Sequence, residues 1–115
     1  MSSEFVQTFR LSLGQSSKLI DARKETGAKL VMKDTGYGEE YEWTGTPKQW
    51  AVAFEQVKVM QQTATGAQKR VCNNLARIVR FAMRTEEEVK AEEAAYQAER
   101  QRRREERRKK HLAKK

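Results

Sequence analysis

The sequence predicts an α+β protein in which a small three-stranded sheet packs on helices and a long, charged C-terminal α-helix follows. Three short segments before Gly45 have the strand period of two. Apolar residues then recur every three or four positions from Trp50 onward, which is the period of an amphipathic helix. The segment from Ala67 to about Lys110 contains neither Pro nor Gly and becomes densely charged, which indicates an extended helix.

The first strand is predicted over residues 4–13, and it ends at Gly14. Its apolar side chains fall on one face, at Phe5, Phe9, Leu11 and Leu13. A short helix over residues 17–26 follows, with Ser16 or Ser17 as its N-cap. The predicted start of this helix leaves Gly14 and its neighbours in a loop.

A hairpin is predicted next, from a strand over residues 28–33 and a returning strand over 41–44. The connecting loop, residues 34–39, contains Gly36 and Gly38, which supply the backbone freedom that a turn needs.

Thr46 and Pro47 begin the following helix as N-cap and first helical residue. Its predicted buried stripe consists of Trp50, Ala53, Phe54, Val57 and Met60. Gly66 interrupts this helix, and a single helix, straight or bent, is the default prediction for residues 67–110. The sequence leaves open whether that segment forms one helix or two.

The net charge of +8 lies entirely in the second part of the chain. Residues 1–66 hold eight basic and eight acidic side chains, whereas residues 67–84 hold five basic and none acidic. The first of these segments predicts a folded domain, and the second an amphipathic helix that docks on it. Residues 85–115 predict a charged helical extension with a basic end.

Composition excludes several classes of protein. One Cys and one His exclude a disulfide framework and predict no metal centre, and they favour an intracellular, reducing compartment, whether cytoplasmic, nuclear or organellar. No apolar run approaches the roughly 20 residues of a membrane span, so no membrane partner is expected. The chain shows no nucleophile–base pair and no phosphate-cradling Gly-rich motif, so we expect no enzyme, no cofactor and no small-molecule substrate.

Two segments of the chain carry a family resemblance. Residues 19–30 are LIDARKETGAKL, and residues 41–57 are YEWTGTPKQWAVAFEQV. They resemble the patterns I-x-x-I-R-E-E-T-G-A-K-I and V-x-I-x-G-T-P-E-x-V-x-x-A-x-x-x-I of the KH domain, a small RNA-binding module, in its eukaryotic-type β-α-α-β-β-α order. The resemblance implies that residues 1–66 form a KH-like domain. The family's G-x-x-G loop is degenerate, because residues 13–17 contain one Gly, and little room remains for the family's first helix.

The resemblance implies a nucleic-acid groove beside the degenerate loop, whose backbone N–H groups would meet a phosphate. Tyr37, between two glycines, is the candidate for stacking on a base, whereas Trp43 and Trp50 are predicted to be core residues and Cys72 a buried thiol. The possible groove residues are Gly14, Gln15, Ser16, Ser17, Lys18, Lys29, Lys33 and Tyr37.

The basic end predicts a second and stronger contact. Residues 99–115 hold ten basic and three acidic side chains, which favours RNA as the partner, within a larger ribonucleoprotein. The residues expected to bind RNA are Arg100, Arg102, Arg103, Arg104, Arg107, Arg108, Lys109 and Lys110. Two alternatives stay open: a protein–protein adaptor with the charged helix as a spacer, and a regulator that reads bases in the groove.

Overall fold

The computed structural model describes residues 4–113 and confirms the α+β class, with a three-stranded antiparallel sheet and four helices. The chain divides into two units, of which the N-terminal unit ends at Arg84 and the second begins at Thr85. The elements are β1 (Gln7–Ser12), α1 (Leu13–Thr26), β2 (Val31–Asp34), β3 (Glu40–Gly45), α2 (Pro47–Thr63), α3 (Ala67–Ala82) and α4 (Glu86–Ala113).

The sheet has β3 in its centre, in the order β1-β3-β2. One row of residues across the three strands is apolar and consists of Phe9, Trp43 and Met32. The next row is charged and consists of Arg10, Glu42 and Lys33. Because successive side chains of a strand point to opposite faces, the sheet has an apolar face against the helices and a polar face, here called the open face.

The core lies between the apolar face and helices α1, α2 and α3. Trp43 and Trp50 are fully buried, which confirms their prediction as core residues. Each indole N–H has a partner: Trp43 Nε1 donates to Ser16 Oγ at 3.1 Å, and Trp50 Nε1 donates to the Gln7 carbonyl at 3.1 Å. A buried indole needs such a partner, because an unpaired donor in a core is costly.

The close packing of the sheet on α2 explains the glycine that ends β3. A Cβ atom at Gly45 would collide with the Leu30 side chain and lie 3.2 Å from Gln49 Oε1. Gln49 also caps the start of α2. Its side-chain oxygen accepts from the Thr46 backbone N–H at 2.8 Å, and Thr46 Oγ1 accepts from Gln49 N at 3.2 Å. This capping box fixes the start of α2, as the Thr-Pro pair predicts.

The predicted start of α1 is wrong. The helix begins at Leu13, so residues 14–17 are its first turns and no loop precedes residue 17. Ser12 is the N-cap: its hydroxyl accepts from Gln15 N at 3.3 Å, and its own N–H donates to Gln15 Oε1 at 3.2 Å. The Ser-x-x-Gln capping box starts the helix directly at the end of β1, and a single helix links β1 to β2.

The default of a single helix over residues 67–110 is also wrong, because α3 ends at Ala82 and α4 begins at Glu86. The break has no Pro or Gly. Thr85 starts the second helix: its hydroxyl accepts from Glu88 N at 3.2 Å, and its carbonyl accepts from Val89 N at 3.0 Å. Thr-x-x-Glu is a capping signature, so a local hydrogen-bond preference interrupts a segment whose composition favours helix throughout.

Helix α3 belongs to the core of the N-terminal unit. Its fully or nearly fully buried residues are Cys72, Leu75, Ala76, Val79 and Ala82. The burial of Cys72 confirms the predicted buried thiol. In α4, by contrast, no described residue is buried, and none of the helices within residues 4–113 is long and apolar enough to cross a membrane.

Candidate functional site

Helix α4 carries the tail residues predicted to bind RNA. Its 28 residues make a rod about 42 Å long at 1.5 Å per residue. The first turn is acidic, with Glu86, Glu87 and Glu88, and the last turn is basic, with Lys110 and His111. This polarity complements the helix dipole, whose N-terminal end favours negative charge and whose C-terminal end favours positive charge.

One side of α4 is held by ion pairs within the helix. Arg102 Nη2 donates to Glu99 Oε1 at 2.7 Å, and Arg102 Nη1 donates to Glu106 Oε1 at 2.8 Å. Arg103 Nε donates to the same Glu99 oxygen at 3.2 Å. All these groups are exposed, so the pairs contribute only about 0.2–0.5 kcal/mol each to helix stability, and they reduce the charge that this side presents to a ligand.

The pKa of Glu99 reflects this pairing. Hydrogen bonds from Arg102 hold the pKa of the Glu99 carboxyl below its usual value of 4.5, with smaller contributions from the charge of Arg102 and from Arg103. The same hydrogen bonds raise the pKa of the Arg102 guanidinium above its usual value. Since the carboxyl pKa is lower in the helix than in the unfolded chain, its support for α4 is present above the unfolded pKa and is lost as the pH falls through the lowered value.

We expect the Glu99 carboxyl to titrate below 4.5 when its side-chain carbon shift is followed by NMR, and Arg102→Gln to return its pKa toward 4.5. Arg107→Gln is the control, because it removes the same charge from the same helix without removing a partner of Glu99. An unchanged Glu99 pKa in Arg102→Gln would show that the pair does not exist in solution.

The adjoining side of α4 presents arginines without carboxylate partners. We call the set Arg100, Arg104, Arg107 and Arg108 the arginine stripe. Residues four apart on a helix differ by about 40° around the axis and residues seven apart by about 20°, so the stripe occupies about 100° of the circumference. No ion pair joins its members to any Asp or Glu of the described chain. Arg100 instead lies over the exposed Tyr96 ring, 5.9 Å from its centroid.

The structure therefore divides the eight predicted tail residues into groups. Arg102 and Arg103 are engaged with Glu99 and Glu106, and the four stripe arginines are not. Lys109 and Lys110 lie outside the stripe, and within residues 4–113 neither has an ion-pair partner. Glu105 borders the stripe beside Arg104 and Arg108. The stripe is the most cationic surface that α4 offers.

The possible groove residues at the start of α1 have structural roles or lie on its surface. Ser16 is buried, and its hydroxyl binds the Leu11 carbonyl at 3.5 Å as well as the Trp43 indole. Gln15 holds the capping box, and Gly14 and Ser17 are exposed within the helix. The backbone N–H of Gln15 already donates to Ser12 Oγ, so the site differs from the open phosphate loop that the resemblance implies.

The remaining groove candidates do not converge on one cleft. Lys18 lines a surface pocket of about 280 Å³ beside the end of α2 and the start of α3. Lys29 follows α1, whose 14 residues span about 21 Å from the Gly14 end. Lys33 belongs to the open face of the sheet, and Tyr37, with 78% of its surface exposed, occupies the hairpin loop.

The hairpin loop has a defined conformation. Thr35 Oγ1 donates to the Glu40 carbonyl at 2.9 Å, and Asp34 Oδ1 accepts from Gly36 N at 2.8 Å. Gly36 and Gly38 have positive φ angles of 79° and 61°, which only glycine adopts without strain. Tyr37 is therefore held outward at a fixed turn, available for stacking as predicted but remote from the arginine stripe in sequence.

Two signals in the sequence indicate the observed helix starts, and both are capping-box signatures. Gln15 stands three residues after Ser12, and Glu88 stands three residues after Thr85. The separation of Arg102 and Arg103 from the stripe also has a signal, since Glu99 precedes them by three and four positions.

No protein-family model, curated protein or solved structure matches this chain. The likeness to the KH domain consists of the two motif segments, in an arrangement with one helix between the first two strands. The charges and contacts of the chain itself are the basis for assigning a function.

Proposed function

We propose that this protein binds RNA through the arginine stripe of α4, as a component of a larger ribonucleoprotein. The N-terminal unit, which resembles a degenerate KH domain, serves chiefly as the docking body. The observation that supports this proposal is the separation of the arginines of α4 into a paired side and an unpaired stripe.

The unpaired stripe suits a phosphate backbone. Its arginines recur over about 12 Å of helix length, and each guanidinium offers a planar fork of donors that matches two phosphate oxygens. Because these side chains are exposed and have no carboxylate to displace, binding a phosphate breaks no existing ion pair. Each phosphate neutralised on a single strand releases counterions and adds about 0.7 to the dependence of affinity on salt.

The same geometry predicts low sequence specificity. Contacts between arginine and phosphate fix the position of a protein on RNA but read no bases. Within α4, the stripe contacts the aromatic ring of Tyr96, which is 62% exposed and already covered on one side by Arg100. This ring offers stacking on a base, which every base tolerates.

The adaptor alternative, with α4 as a spacer or coiled-coil arm, has less support. A coiled coil requires apolar residues at the a and d positions of successive heptads. The bulky apolar residues of α4 are Val89, Tyr96 and Leu112, and the interval between the last two is occupied by charges. If neither unit binds RNA, the adaptor becomes the favoured function.

The experiment compares two double variants of the full chain that carry the same net charge. Arg100→Gln with Arg104→Gln removes stripe residues, and Arg102→Gln with Arg103→Gln removes paired residues. Affinity for a fluorescein-labelled oligouridylate of about 12 nucleotides is measured by anisotropy at several salt concentrations. We expect the stripe variant to lose about tenfold in affinity at low salt and about 1.4 in salt slope, and the paired variant to lose about two- to threefold.

Equal losses in the two variants would contradict the stripe as the interface, because they would show that only the total charge of α4 matters. No loss in either variant would contradict RNA binding by α4. Circular dichroism of both variants controls for helix content, since removing Arg102 also removes the partner of Glu99.

A further inference from the structure

Helix α3 has an outer face whose chemistry the core does not explain. Its inner face is filled by residues such as Leu75 and Val79, which are fully buried. Seen along the helix axis, the opposite side carries residues about 100° or more from these positions. Asn73 and Arg80 on this side contact α2 and are left out. We call the others, together with Arg84 just beyond the end of the helix, the outer face of α3: Arg70, Asn74, Arg77, Phe81 and Arg84.

Two arginines on this face, Arg70 and Arg77, give it positive charge. The segment from Ala67 to Arg84 has five basic residues and no Asp or Glu. Arg70 and Arg77 are exposed, lie about 20° apart around the axis and about 10 Å apart along it, and have no ion-pair partner in the part of the chain described. Two exposed arginines aligned on one helix, in a segment without acidic residues, favour an anionic ligand.

An aromatic group lies on the same face. Phe81 is 50% exposed although the neighbouring Ala82 is fully buried, so its ring is not part of the core. The Arg84 guanidinium lies over this ring, 4.9 Å from its centroid, with its Nε donating to the Phe81 carbonyl at 2.9 Å. An exposed ring stacked with a guanidinium is a flat, cationic surface of the kind on which single-stranded bases stack.

The open face of the sheet and the surface of α2 lack this combination of unpaired arginines and an exposed ring. On the open face of the sheet, Glu42 lies between Arg10 and Lys33, and no aromatic residue belongs to that row. On α2, Lys58 is paired with Glu55 at 3.2 Å. Arg80 lies over the Phe54 ring at the junction of α2 and α3, where it covers a core residue. On the outer face of α3, two arginines without ion-pair partners among the described residues lie on the same side of the helix as an exposed ring.

We infer that the outer face of α3 is a second binding surface for single-stranded RNA, formed by the N-terminal unit itself. Arg70 and Arg77 bind phosphates, and the stacked pair of Phe81 and Arg84 receives a base. The inference rests on the proposed function for the class of ligand, but it uses none of the residues of α4.

The test uses the full chain and the same labelled oligouridylate. Arg70→Gln with Arg77→Gln is expected to reduce affinity about tenfold at low salt and to lower the salt slope by about 1.4, because two phosphate contacts are lost. Phe81→Ala is expected to reduce affinity about fivefold or more with an unchanged slope, because stacking releases no counterions. Arg10→Gln with Lys48→Gln is the matched control, which removes two exposed cations from the same unit and is expected to bind as the unmodified protein does.

The outcomes separate this inference from the proposed function. Loss in the α3 double variant with no loss in the stripe variant would retain the α3 surface and overturn the role of the stripe. Loss in the stripe variant alone, with the α3 variant equal to its control, would overturn the α3 surface and retain the proposed function. Equal loss in the α3 variant and its control would also overturn the inference, because net charge alone would explain it. Thermal unfolding of each variant confirms that these exposed substitutions leave the fold intact.

Discussion

Replacing Trp43 by Ala is expected to lower the free energy of unfolding of the N-terminal unit by about 3–5 kcal/mol. Trp43 occupies the central strand, is fully buried, and packs between Phe9 and Met32 of the neighbouring strands. Its removal also leaves the buried Ser16 hydroxyl without the indole donor, and it takes away the ring over which the Arg23 guanidinium lies at 5.2 Å. A loss of this size approaches the whole stability of a small domain, about 5–15 kcal/mol.

Urea unfolding followed by circular dichroism measures this loss, since the signal does not depend on the indole that is removed. Trp43→Phe keeps an aromatic ring and loses chiefly the hydrogen bond to Ser16, so we expect it to cost less than half as much. Tyr96→Ala is the matched control in α4, where the ring is exposed, and its unfolding midpoint should equal that of the unmodified protein. A loss below about 1 kcal/mol for Trp43→Ala would contradict the central position of this side chain.

Truncation after Ala98 is expected to produce the largest functional loss, at least about 100-fold in RNA affinity at low salt. It removes the whole arginine stripe together with Lys109 and Lys110, so about four units of salt slope are lost if six phosphate contacts of about 0.7 each disappear. The weak binding that remains is attributed to the outer face of α3 and should be abolished by adding Arg70→Gln and Arg77→Gln.

The control for truncation is the stability of the remaining chain. No described residue of α4 is buried, so the unfolding midpoint of the N-terminal unit should not change. Full-length protein at high salt provides a second control, because its affinity should fall toward that of the truncated form as counterion release weakens. Undiminished affinity and slope in the truncated protein would contradict the proposed function and direct attention to the N-terminal unit.

Much of the N-terminal unit is predictable from sequence because its signals are periodic. The three strands and α2 follow from alternation, from the Thr46–Pro47 start, and from an apolar stripe at helical spacing. The core prediction for Trp43 and Trp50 comes from the resemblance, whose patterns have apolar, buried residues at both positions, and their burial confirms it. Periodicity identifies the face of an element that is buried, and it does so without knowledge of the partner.

The errors in the predicted fold lie at the ends of elements. Helix α1 starts earlier than predicted and includes Leu13, which was expected on the buried face of the first strand but is 45% exposed, and residues 67–110 form parts of two helices. Ser12 competes with Ser16 and Ser17 as N-cap, and all three are serines near the start of a helical segment. Ser16 is excluded because its hydroxyl accepts the Trp43 indole N–H, a contact between residues 27 positions apart. Local sequence patterns do not indicate this distant partner, so they predict an N-cap that is too late in the chain.

For the candidate site, the sequence predicts eight RNA-binding cations in α4 and does not distinguish among them. Helical geometry separates Arg102, which is paired with Glu99 and Glu106, from Arg104, which forms no ion pair among the described residues. The arginine stripe can be identified because α4 is one uninterrupted helix from Glu86 to Ala113, and this helix starts at the Thr85 cap. The sequence alone does not indicate the outer face of α3 as a binding surface, because the polar side of any docking helix carries such arginines.

The sequence by itself determined the α+β class, the banded charge and the two core tryptophans, because composition and periodicity are properties of neighbouring residues. Only the tertiary structure decided that Ser16 is a buried partner of Trp43 and that Phe81 remains exposed beside Arg84. These facts depend on contacts between elements distant in sequence and on which side of α3 the core covers. Burial distinguishes a side chain that stabilises the fold from one that is free to bind a ligand, and burial is settled only when the elements pack.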